Sequence, residues 1–321
     1  MLPTVLVLLA GIMWSFSGVL IKGIHWNAFA IAGSRSLIGG LLEFAFLVLL
    51  THIAARNVGE PKALAESCKT VLRRILAFQP LHWLGALSFM LNMIALVFAF
   101  QLTNVATAVF LHYSGIVLVA LLSWPILRQP LTNADWLAVG GALAGIAILS
   151  IDGAQSTGLP GVALGIFCGI TMATTQICLG LRAKQTNSGS EAIETIVLAN
   201  VLMTLIALPA VFTAPPLPGT NAWLLLLILG IVPWAIPDIL YAVGIKRVPV
   251  FRAMILGLSD PILTALWPFL FLSEMPSSLA LCGALVILAA IVYQAKYSAR
   301  TSIELDSRCL PHTIKEQLTK V

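Results

Sequence analysis

Long apolar runs follow one another along almost the whole chain, and this feature constrains the fold more than any other. Of the 321 residues, 59% are hydrophobic and only 10% are Asp, Glu, Lys or Arg. A soluble domain carries about 25% charged residues. Because so few side chains here could face water, the sequence predicts a protein embedded in a membrane.

The apolar runs predict an all-α integral membrane protein, since a membrane-crossing helix needs about 20 mainly apolar residues. By that rule the chain contains ten transmembrane helices. The predicted spans are residues 4–22, 28–51, 81–102, 104–127, 134–152, 158–181, 192–213, 221–245, 250–272 and 276–297. The first span lacks a basic leader and a clear cleavage site before Lys22, so we expect it to be retained. We expect the tail, 298–321, to be a loose cytoplasmic end.

Basic residues in the connections predict the orientation in the membrane. With ten spans both termini share a side, and the opposite side has only Lys22. Cytoplasmic connections are enriched in Lys and Arg. We therefore expect both termini in the cytoplasm and the protein in the inner (plasma) membrane. The basic residues on the shared side are Arg56, Lys62, Lys69, Arg73, Arg74, Arg128, Arg182, Lys184, Lys246, Arg247, Lys296, Arg300, Arg308, Lys315 and Lys320.

Two pairs of similar segments indicate an internal repeat. "GIMWSFSGVLIK" from Gly11 matches "GITMATTQICLG" from Gly169, and "IVLVALLSWPILRQPL" from Ile116 matches "PILTALWPFLFLSEMP" from Pro261. The sequence thus predicts two five-helix copies, 1–152 and 158–297. Since five is odd, the copies cross the membrane in opposite directions. Inverted repeats are typical of transporters, with the substrate near the midplane between the copies.

The chain resembles the EamA-type branch of the drug/metabolite transporter superfamily. The resemblance rests on Arg35 early in the second span ("GSRSLIGGLLE"), on the closing segment "SEMPSSLALCGALVILAAIVY" and on the five-plus-five plan. It implies export or exchange of small metabolites through a central cavity, driven by a gradient. In agreement, the sequence contains no GxxxxGK[ST] motif for binding ATP.

Asp260 lies near the middle of the ninth predicted span, where a carboxylate in hydrocarbon is costly. One and two helical turns further on are Thr264 and Trp267. A carboxylate, a hydroxyl and an indole on one face predict that Asp260 lines a water-filled substrate cavity. The structural alternative is that Asp260 pairs with Arg252 or Arg35.

Asp238 in the eighth predicted span has Trp234 one turn before it and Tyr241 one turn after it. A carboxylate flanked by aromatic rings suits a cationic amine, through charge and cation–π attraction. Asp238 also lies only about 10 Å from the end of its helix. Pairing with Lys246 or Arg247 is therefore the alternative, and the sequence favours neither.

Arg35 and Glu43 are two further charged residues within the second predicted span. Eight helical steps separate them by about 12 Å and about 80°, so we expect no direct pair. Arg35 could hold a substrate carboxylate, or it could reach the outer headgroups or join the two halves. Glu43 and Asp260 are the candidates for carrying a proton that couples transport to a gradient.

Polar and aromatic residues of the remaining spans are weaker candidates for contacting a substrate. For each of them, packing and interhelical hydrogen bonding are the alternative roles, and a histidine at this depth can also titrate. These candidates are Trp14, Ser15, Asn92, His112, Tyr113 and Gln176.

Residues 61–78 predict an amphipathic helix outside the spans. Its expected apolar face is Leu64, Cys68, Leu72, Ile75 and Phe78, and its expected polar face is Lys62, Glu66, Lys69 and Arg73. We expect this helix to lie on anionic lipid headgroups. A docking surface for a regulatory partner is the alternative.

Other classes of site and partner are not expected. None of the five cysteines forms a CxxC pair, so we predict no metal, no disulfide framework and no cofactor. No basic patch lies apart from the spans, which argues against nucleic acid. Small-residue stripes predict close helix packing within one chain, with a homodimer interface as the alternative. The stripes are Gly141 and Gly145, Gly161 and Gly165, and Gly165 and Gly169.

Together these features predict a secondary-active transporter that exports or exchanges a small polar metabolite by alternating access, with an amino acid or an amine-bearing compound as substrate. An importer or exchanger of a larger vitamin-like or nucleotide-like metabolite is the nearest alternative. A phosphorylated substrate would need a basic cavity, and only Arg35 and Arg252 could supply it. An enzyme is not expected, because Asp238 and Asp260 lack the flanking motifs of intramembrane aspartyl proteases. A non-transporting receptor would tolerate the loss of these charges.

Overall fold

The computed structural model describes residues 2–57, 63–102, 111–123, 125–128, 131–151, 159–184, 190–215, 219–272 and 278–309, and every regular element in these ranges is helical. The first half contains α1 (Leu2–Trp14), α2 (Ser17–Lys22), α3 (Ala28–Asn57), α4 (Leu64–Leu76), α5 (Pro80–Leu102), α6 (Gly115–Ser123) and α7 (Asn133–Ile151). The second half contains α8 (Leu159–Arg182), α9 (Ser190–Thr213), α10 (Gly219–Gly230), α11 (Ile236–Gly244), α12 (Val250–Gly257), α13 (Ser259–Leu272) and α14 (Ser278–Cys309). A π-helical turn, Ile231–Ala235, joins α10 to α11.

Within the described ranges, five helices are long and apolar enough to cross a membrane. They are Ala28–Asn57, Pro80–Ala99, Ala163–Arg182, Ser190–Thr213 and Gly219–Gly244. Three shorter apolar helices are Leu2–Trp14, Leu111–Ser123 and Leu281–Tyr293. The predicted all-α membrane class is confirmed for the part of the chain that the structure describes. The residues around Thr103, expected to join the third and fourth spans, lie outside it.

Several predicted spans are interrupted in the structure, whereas each was predicted as one uninterrupted apolar span. The span 4–22 breaks after Trp14, and the span 250–272 breaks at Leu258. At the second break the Leu258 N–H bonds to the Ile255 carbonyl over 3.2 Å, three residues back. Pro261 has no N–H to continue the regular pattern. Hydropathy averaged over a span does not register such a local loss of backbone bonding.

The helices pack mainly in pairs from the two halves. Helix α3 packs on α9, α7 on α14, and α1 on both α11 and α12. Helix α8 packs on α5 and α6. The close approaches rest on small residues: Gly141 faces Ala290, and Gly145 faces Ile287, both in α14 of the same chain.

Helix α4 confirms the predicted amphipathic helix but corrects its faces. The residues that it buries are Ser67, Val71 and Ile75, whereas the expected apolar residues Leu64 and Leu72 are exposed. The reason is that α4 packs against α3 and α9, and that contact uses a different stripe from the most apolar one. The apolar pattern alone cannot tell a surface that meets the bundle from one that meets lipid.

The C-terminal tail also differs from the expectation in its first part. Helix α14 continues past the predicted end of the tenth span and reaches Cys309. The expected loose end therefore begins as a continuation of this helix. Residues 310–321 lie outside the described residues, so the remainder of the tail stays a prediction.

Candidate functional site

Asp238 lies in the first turn of α11, directly after the π-helical turn, and it is 3% exposed. Its Oδ1 accepts a hydrogen bond of 3.0 Å from the indole Nε1 of Trp14. Its Oδ2 is buried and has no hydrogen-bond partner among the described residues. The observed partner is thus an indole of α1 and not Lys246 or Arg247. The structure brings Trp14 and Asp238, both predicted site residues, into direct contact.

Arg35 faces Asp238 from α3 and does not extend to the membrane surface. Its guanidinium carbon lies 3.9 Å from the centroid of the Trp234 ring, a cation–π arrangement. Arg35 is 7% exposed and interacts electrostatically with Asp238. Its Nε is buried without a hydrogen-bond partner among the described residues. A buried donor of this kind is suited to an acceptor on a ligand.

Glu43 and Asn200 extend this group further into the bundle. Glu43 is fully buried, and its Oε2 accepts a hydrogen bond of 3.0 Å from the Asn200 Nδ2. The Oδ1 of Asn200 accepts a second bond, also 3.0 Å, from the Trp234 indole. Glu43 and Arg35 therefore have separate partners, in agreement with their helical spacing. Asn200 was not among the predicted site residues. Its polar amide within the apolar run "TIVLANVLMTL" is the feature of the sequence that could have identified it.

Asp260 lies in the first turn of α13, immediately after the break at Leu258. Its Oδ2 accepts a hydrogen bond of 2.7 Å from the Tyr113 hydroxyl, and its Oδ1 accepts one of 3.0 Å from Thr264. Arg252 is engaged elsewhere, with its Nε 3.8 Å from Asp135 Oδ1. The predicted face of carboxylate and hydroxyl is thus present, with a phenol from the other half added to it.

Ser15 and Trp267 lie beside Asp260 at the interruption of the first span. The indole Nε1 of Trp267 donates to the Ser15 Oγ over 2.8 Å, and its ring stacks on Phe16 with centroids 4.3 Å apart. Ser15 itself donates to the Ile12 carbonyl over 2.6 Å. Since α1 ends at Trp14, one break in the chain presents Trp14 to Asp238 and Ser15 to Trp267.

Tyr241 and Gln176 connect the second half to the same region. The Tyr241 hydroxyl donates to Gln176 Oε1 over 2.5 Å. The Tyr241 ring packs at 49° against Trp14, with centroids 5.3 Å apart. Gln176, one of the weaker predicted candidates, thus contacts Tyr241, which in turn packs against the Trp14 that bonds to Asp238.

Asn92 and His112 belong to a further set of contacts that reaches Tyr113. The Asn92 Nδ2 donates to Thr171 Oγ1 over 3.2 Å and to the Cys168 carbonyl over 2.9 Å. It also lies 3.3 Å from the His112 Nδ1. The His112 ring contacts Tyr113 edge-on, with centroids 5.0 Å apart. These contacts lead from α5 and α8 to the Tyr113–Asp260 hydrogen bond.

Two connected clusters result, and all the residues predicted for the site lie in them or directly beside them. The Asp238 cluster comprises Trp14, Arg35, Glu43, Asn200, Trp234 and Asp238. The Asp260 cluster comprises Ser15, Tyr113, Asp260, Thr264 and Trp267. Among the described residues no group of three or more His, Cys, Asp or Glu could hold a metal ion. The arrangement offers buried carboxylates, one guanidinium and several aromatic faces to a polar ligand.

Apolar helices that surround a buried polar centre are characteristic of an integral membrane protein. The model of the EamA-like transporter family matches residues 1–151 and 159–294, and the chain belongs to this family. The resemblance inferred from the sequence is therefore confirmed. The protein is a multi-pass membrane transporter.

Two known proteins are similar to the chain over most of its length. An uncharacterized transporter of Archaeoglobus fulgidus is 26% identical over 286 residues, which cover 89% of this chain and 93% of that protein. A protein of known crystal structure superposes with a TM-score of 0.72 at 18% identity, covering 93% of this chain and 98% of that chain. The second likeness shows a shared fold.

Proposed function

We propose that the chain is a secondary-active transporter that exports or exchanges a small amine-bearing metabolite, an amino acid as first choice, and moves it unchanged. The observation that carries this proposal is the arrangement of Asp238 and Asp260. Both carboxylates follow an interruption of a helix, and each is held by an aromatic donor from the other half. Interrupted helices line the substrate sites of many secondary transporters.

The partners around Asp238 support an amino acid as substrate. Asp238 Oδ2 and Arg35 Nε are both buried without hydrogen-bond partners among the described residues. An ammonium group would bind Asp238 and the faces of Trp14 and Tyr241, through charge and cation–π attraction. A carboxylate would bind Arg35 through a charge-assisted hydrogen bond. A zwitterion satisfies both requirements at once.

Glu43 supports a coupling of this site to protons, and Asp260 is the second candidate. Glu43 interacts electrostatically with Asp238 and reaches Trp234 through Asn200. With both acids ionised, Glu43, Asp238 and Arg35 together carry one net negative charge, and binding one proton neutralises the group. The ammonium group of the substrate therefore binds best after the proton leaves, so the proton and the substrate exclude each other. That exclusion is the requirement for exchange of one for the other.

The packing supports two inverted five-helix copies, 1–152 and 158–297, with ten spans. If each predicted span is exchanged with the equivalent span of the other copy, the contact of α1 with α11 corresponds to that of α8 with α5. In the same way, the contact of α1 with α12 corresponds to that of α8 with α6. The two glycines that head the repeat occupy matching positions. Gly11 packs against Gly257 and Ser259, and Gly169 packs against Ser114 and Gly115.

Alternating access would involve movement where α1 crosses α12 and where α8 crosses α6. Ser114 and Ser259 stand two residues before the aligned Ile116 and Pro261, and each donates to the carbonyl three residues back, over 2.5 and 3.0 Å. Each serine therefore replaces backbone bonding at a bend in its helix. Rocking of one copy against the other about these bends would open the site to each side in turn. The charge bias of the connections supports a position in the inner membrane with both termini on the cytoplasmic side.

Uptake into proteoliposomes tests this proposal. A pooled panel of labelled amino acids, amines and vitamins is offered with and without an imposed pH gradient, to the native chain, Asp238→Asn and Asp260→Asn. Glu66→Gln is the matched control, since Glu66 is an exposed acid on α4. We expect one amine-bearing compound to enter with the native chain and the control but not with either aspartate variant. Normal uptake by both aspartate variants would contradict the assignment of the site, and uptake of a vitamin alone would contradict the substrate class.

A further inference from the structure

Helix α4 lies against one end of the bundle, where α3 ends and α5 and α9 begin. Its Ile75 carbonyl lies 2.9 Å from His82 Nε2 of α5. Its Arg74 Nη1 lies 3.9 Å from Glu194 Oε1 of α9, and Glu194 also pairs with Arg182 of α8 over 3.3 Å. Helix α4 is thus held to α5 and α9 by specific polar contacts as well as by its buried stripe.

The surface of α4 that faces away from the bundle carries two adjacent stripes. Lys69 and Arg73, one helical turn apart, are exposed on the side opposite the buried residues. Leu72 and Leu76, also one turn apart, are 48% and 57% exposed. By helical geometry the leucine stripe lies about 60° from the basic stripe and about 120° from the buried one. Helix α4 therefore presents three surfaces: one to the bundle, one apolar and one basic.

An aromatic pair continues the apolar surface beyond the end of the helix. Phe78 is 81% exposed, and its ring is tilted against that of Trp83, with centroids 6.5 Å apart. The indole of Trp83 is fixed by a hydrogen bond of 3.2 Å to the Ala77 carbonyl. Aromatic rings with one polar end are enriched at the boundary between headgroups and acyl chains. This position places α4 at that boundary.

The neighbouring spans favour lipid as the occupant of this surface. Ile53 near the end of α3 and Leu84 near the start of α5 are 45% and 51% exposed, as expected for side chains that face acyl chains. Leu72, Leu76 and Phe78 extend this apolar belt to the bundle end. A soluble acidic protein would match Lys69 and Arg73 in charge, but it would leave the leucine stripe without an apolar partner.

We propose that Lys69 and Arg73 bind the phosphate of an anionic phospholipid headgroup, with Leu72, Leu76 and Phe78 against its acyl chains. A phosphate attracts the two cations of the basic stripe, and the adjoining stripe accepts the chains that come with it. Free phosphate lacks the second contact. Since α4 contacts His82 of α5 and Glu194 of α9, a bound lipid also stabilises the end of the bundle.

The test uses the full chain purified in neutral detergent, titrated with dioleoyl phosphatidylglycerol, dioleoyl phosphatidylcholine or inorganic phosphate. The temperature of half-unfolding is measured for each. We expect phosphatidylglycerol to raise it in a saturable manner, and 0.5 M salt to weaken the effect. Phosphatidylcholine and inorganic phosphate should not reproduce the rise. An equal rise with either one would overturn the proposal.

A double variant of α4 and a matched control, each of which removes two positive charges, test the site. In Lys69→Gln with Arg73→Gln, the apparent affinity for phosphatidylglycerol should fall about thirtyfold, since each cation near an anionic surface contributes a factor of about five. The control is Lys184→Gln with Arg247→Gln, two exposed cations outside α4, and it should bind like the native chain. Leu72→Gln with Leu76→Gln should also weaken the lipid response while leaving both cations. Equal affinities for the α4 variant and the control would refute the site.

Discussion

Trp14 donates a hydrogen bond of 3.0 Å to Asp238, across 224 positions of the sequence. The bond joins the end of α1 to the first turn of α11, so two interruptions of the helical bundle meet at one pair of side chains. A buried carboxylate needs donors around it, because burial removes the water that would otherwise solvate its charge. The Trp14 indole supplies one such donor and leaves Asp238 Oδ2 for a ligand.

Replacing Trp14 by Phe should destabilise the protein by about 1.5–3 kcal/mol, the usual contribution of a hydrogen bond to a charged group. The phenyl ring can retain an aromatic contact with Tyr241 but lacks the indole N–H that Asp238 accepts. Trp223→Phe is the control, because Trp223 is 59% exposed on α10. The measurement is chemical unfolding in detergent. Equal stabilities of the two variants would mean that the indole bond does not stabilise the fold.

Glu43→Gln should preserve the fold and abolish the response of transport to a pH gradient. The glutamine carbonyl can still accept the hydrogen bond from Asn200 Nδ2, but the side chain can no longer bind and release a proton. Uptake of the substrate is compared with and without the gradient, beside Glu66→Gln on the exposed face of α4. An unchanged gradient response in Glu43→Gln would exclude Glu43 and leave Asp260 as the coupling candidate.

Asn200→Leu should be among the most destabilising single changes in the Asp238 cluster. It leaves both the Glu43 carboxyl group and the Trp234 indole without their common partner, and each buried orphan costs about 1–3 kcal/mol. Thr204→Val, one turn further along α9, is the control, because its hydroxyl bonds at 2.8 Å to the Asn200 carbonyl of its own helix and only at 3.4 Å to the Gly33 carbonyl of α3. The free energy of unfolding of the two variants should differ by more than about 1 kcal/mol in favour of Thr204→Val.

The sequence predicted the local half of the site and missed the long-range half, for a physical reason. Trp234, Asp238 and Tyr241 lie on one face at helical spacing, which a sequence displays directly. The partners that fix them come from other helices: Trp14 holds Asp238, and Asn200 holds Trp234. Which helices meet depends on the packing of the whole bundle, and one sequence does not contain that information in local form.

The fold shows the same division. Hydropathy predicted the helical membrane class because the cost of exposing apolar area to water acts on each span separately. It did not predict the breaks after Trp14 and at Leu258, since a few lost backbone bonds barely change the average over a span. Arg35 illustrates the limit in the site: its role was open among three alternatives, and its stacking over Trp234 of the other half follows only from the packed bundle.

The helix crossings at Gly11 and Gly115 should differ in their tolerance of a methyl group. A Cβ at Gly115 would overlap the backbone carbonyl oxygen of Gly169, which cannot move without shifting α8, whereas a Cβ at Gly11 would overlap the Oγ of Ser259, which can rotate away. Gly140 has no atom of the described residues within 4 Å of its Cβ position. Gly140→Ala should therefore be neutral or stabilise α7 by about 0.5–1 kcal/mol, and Gly115→Ala should destabilise by about 1–3 kcal/mol. Gly11→Ala should lie between them. Thermal unfolding of the three variants in one detergent ranks their stabilities. A Gly11→Ala variant that is less stable than Gly115→Ala would show that the Ser259 side chain is as immobile as the backbone of Gly169.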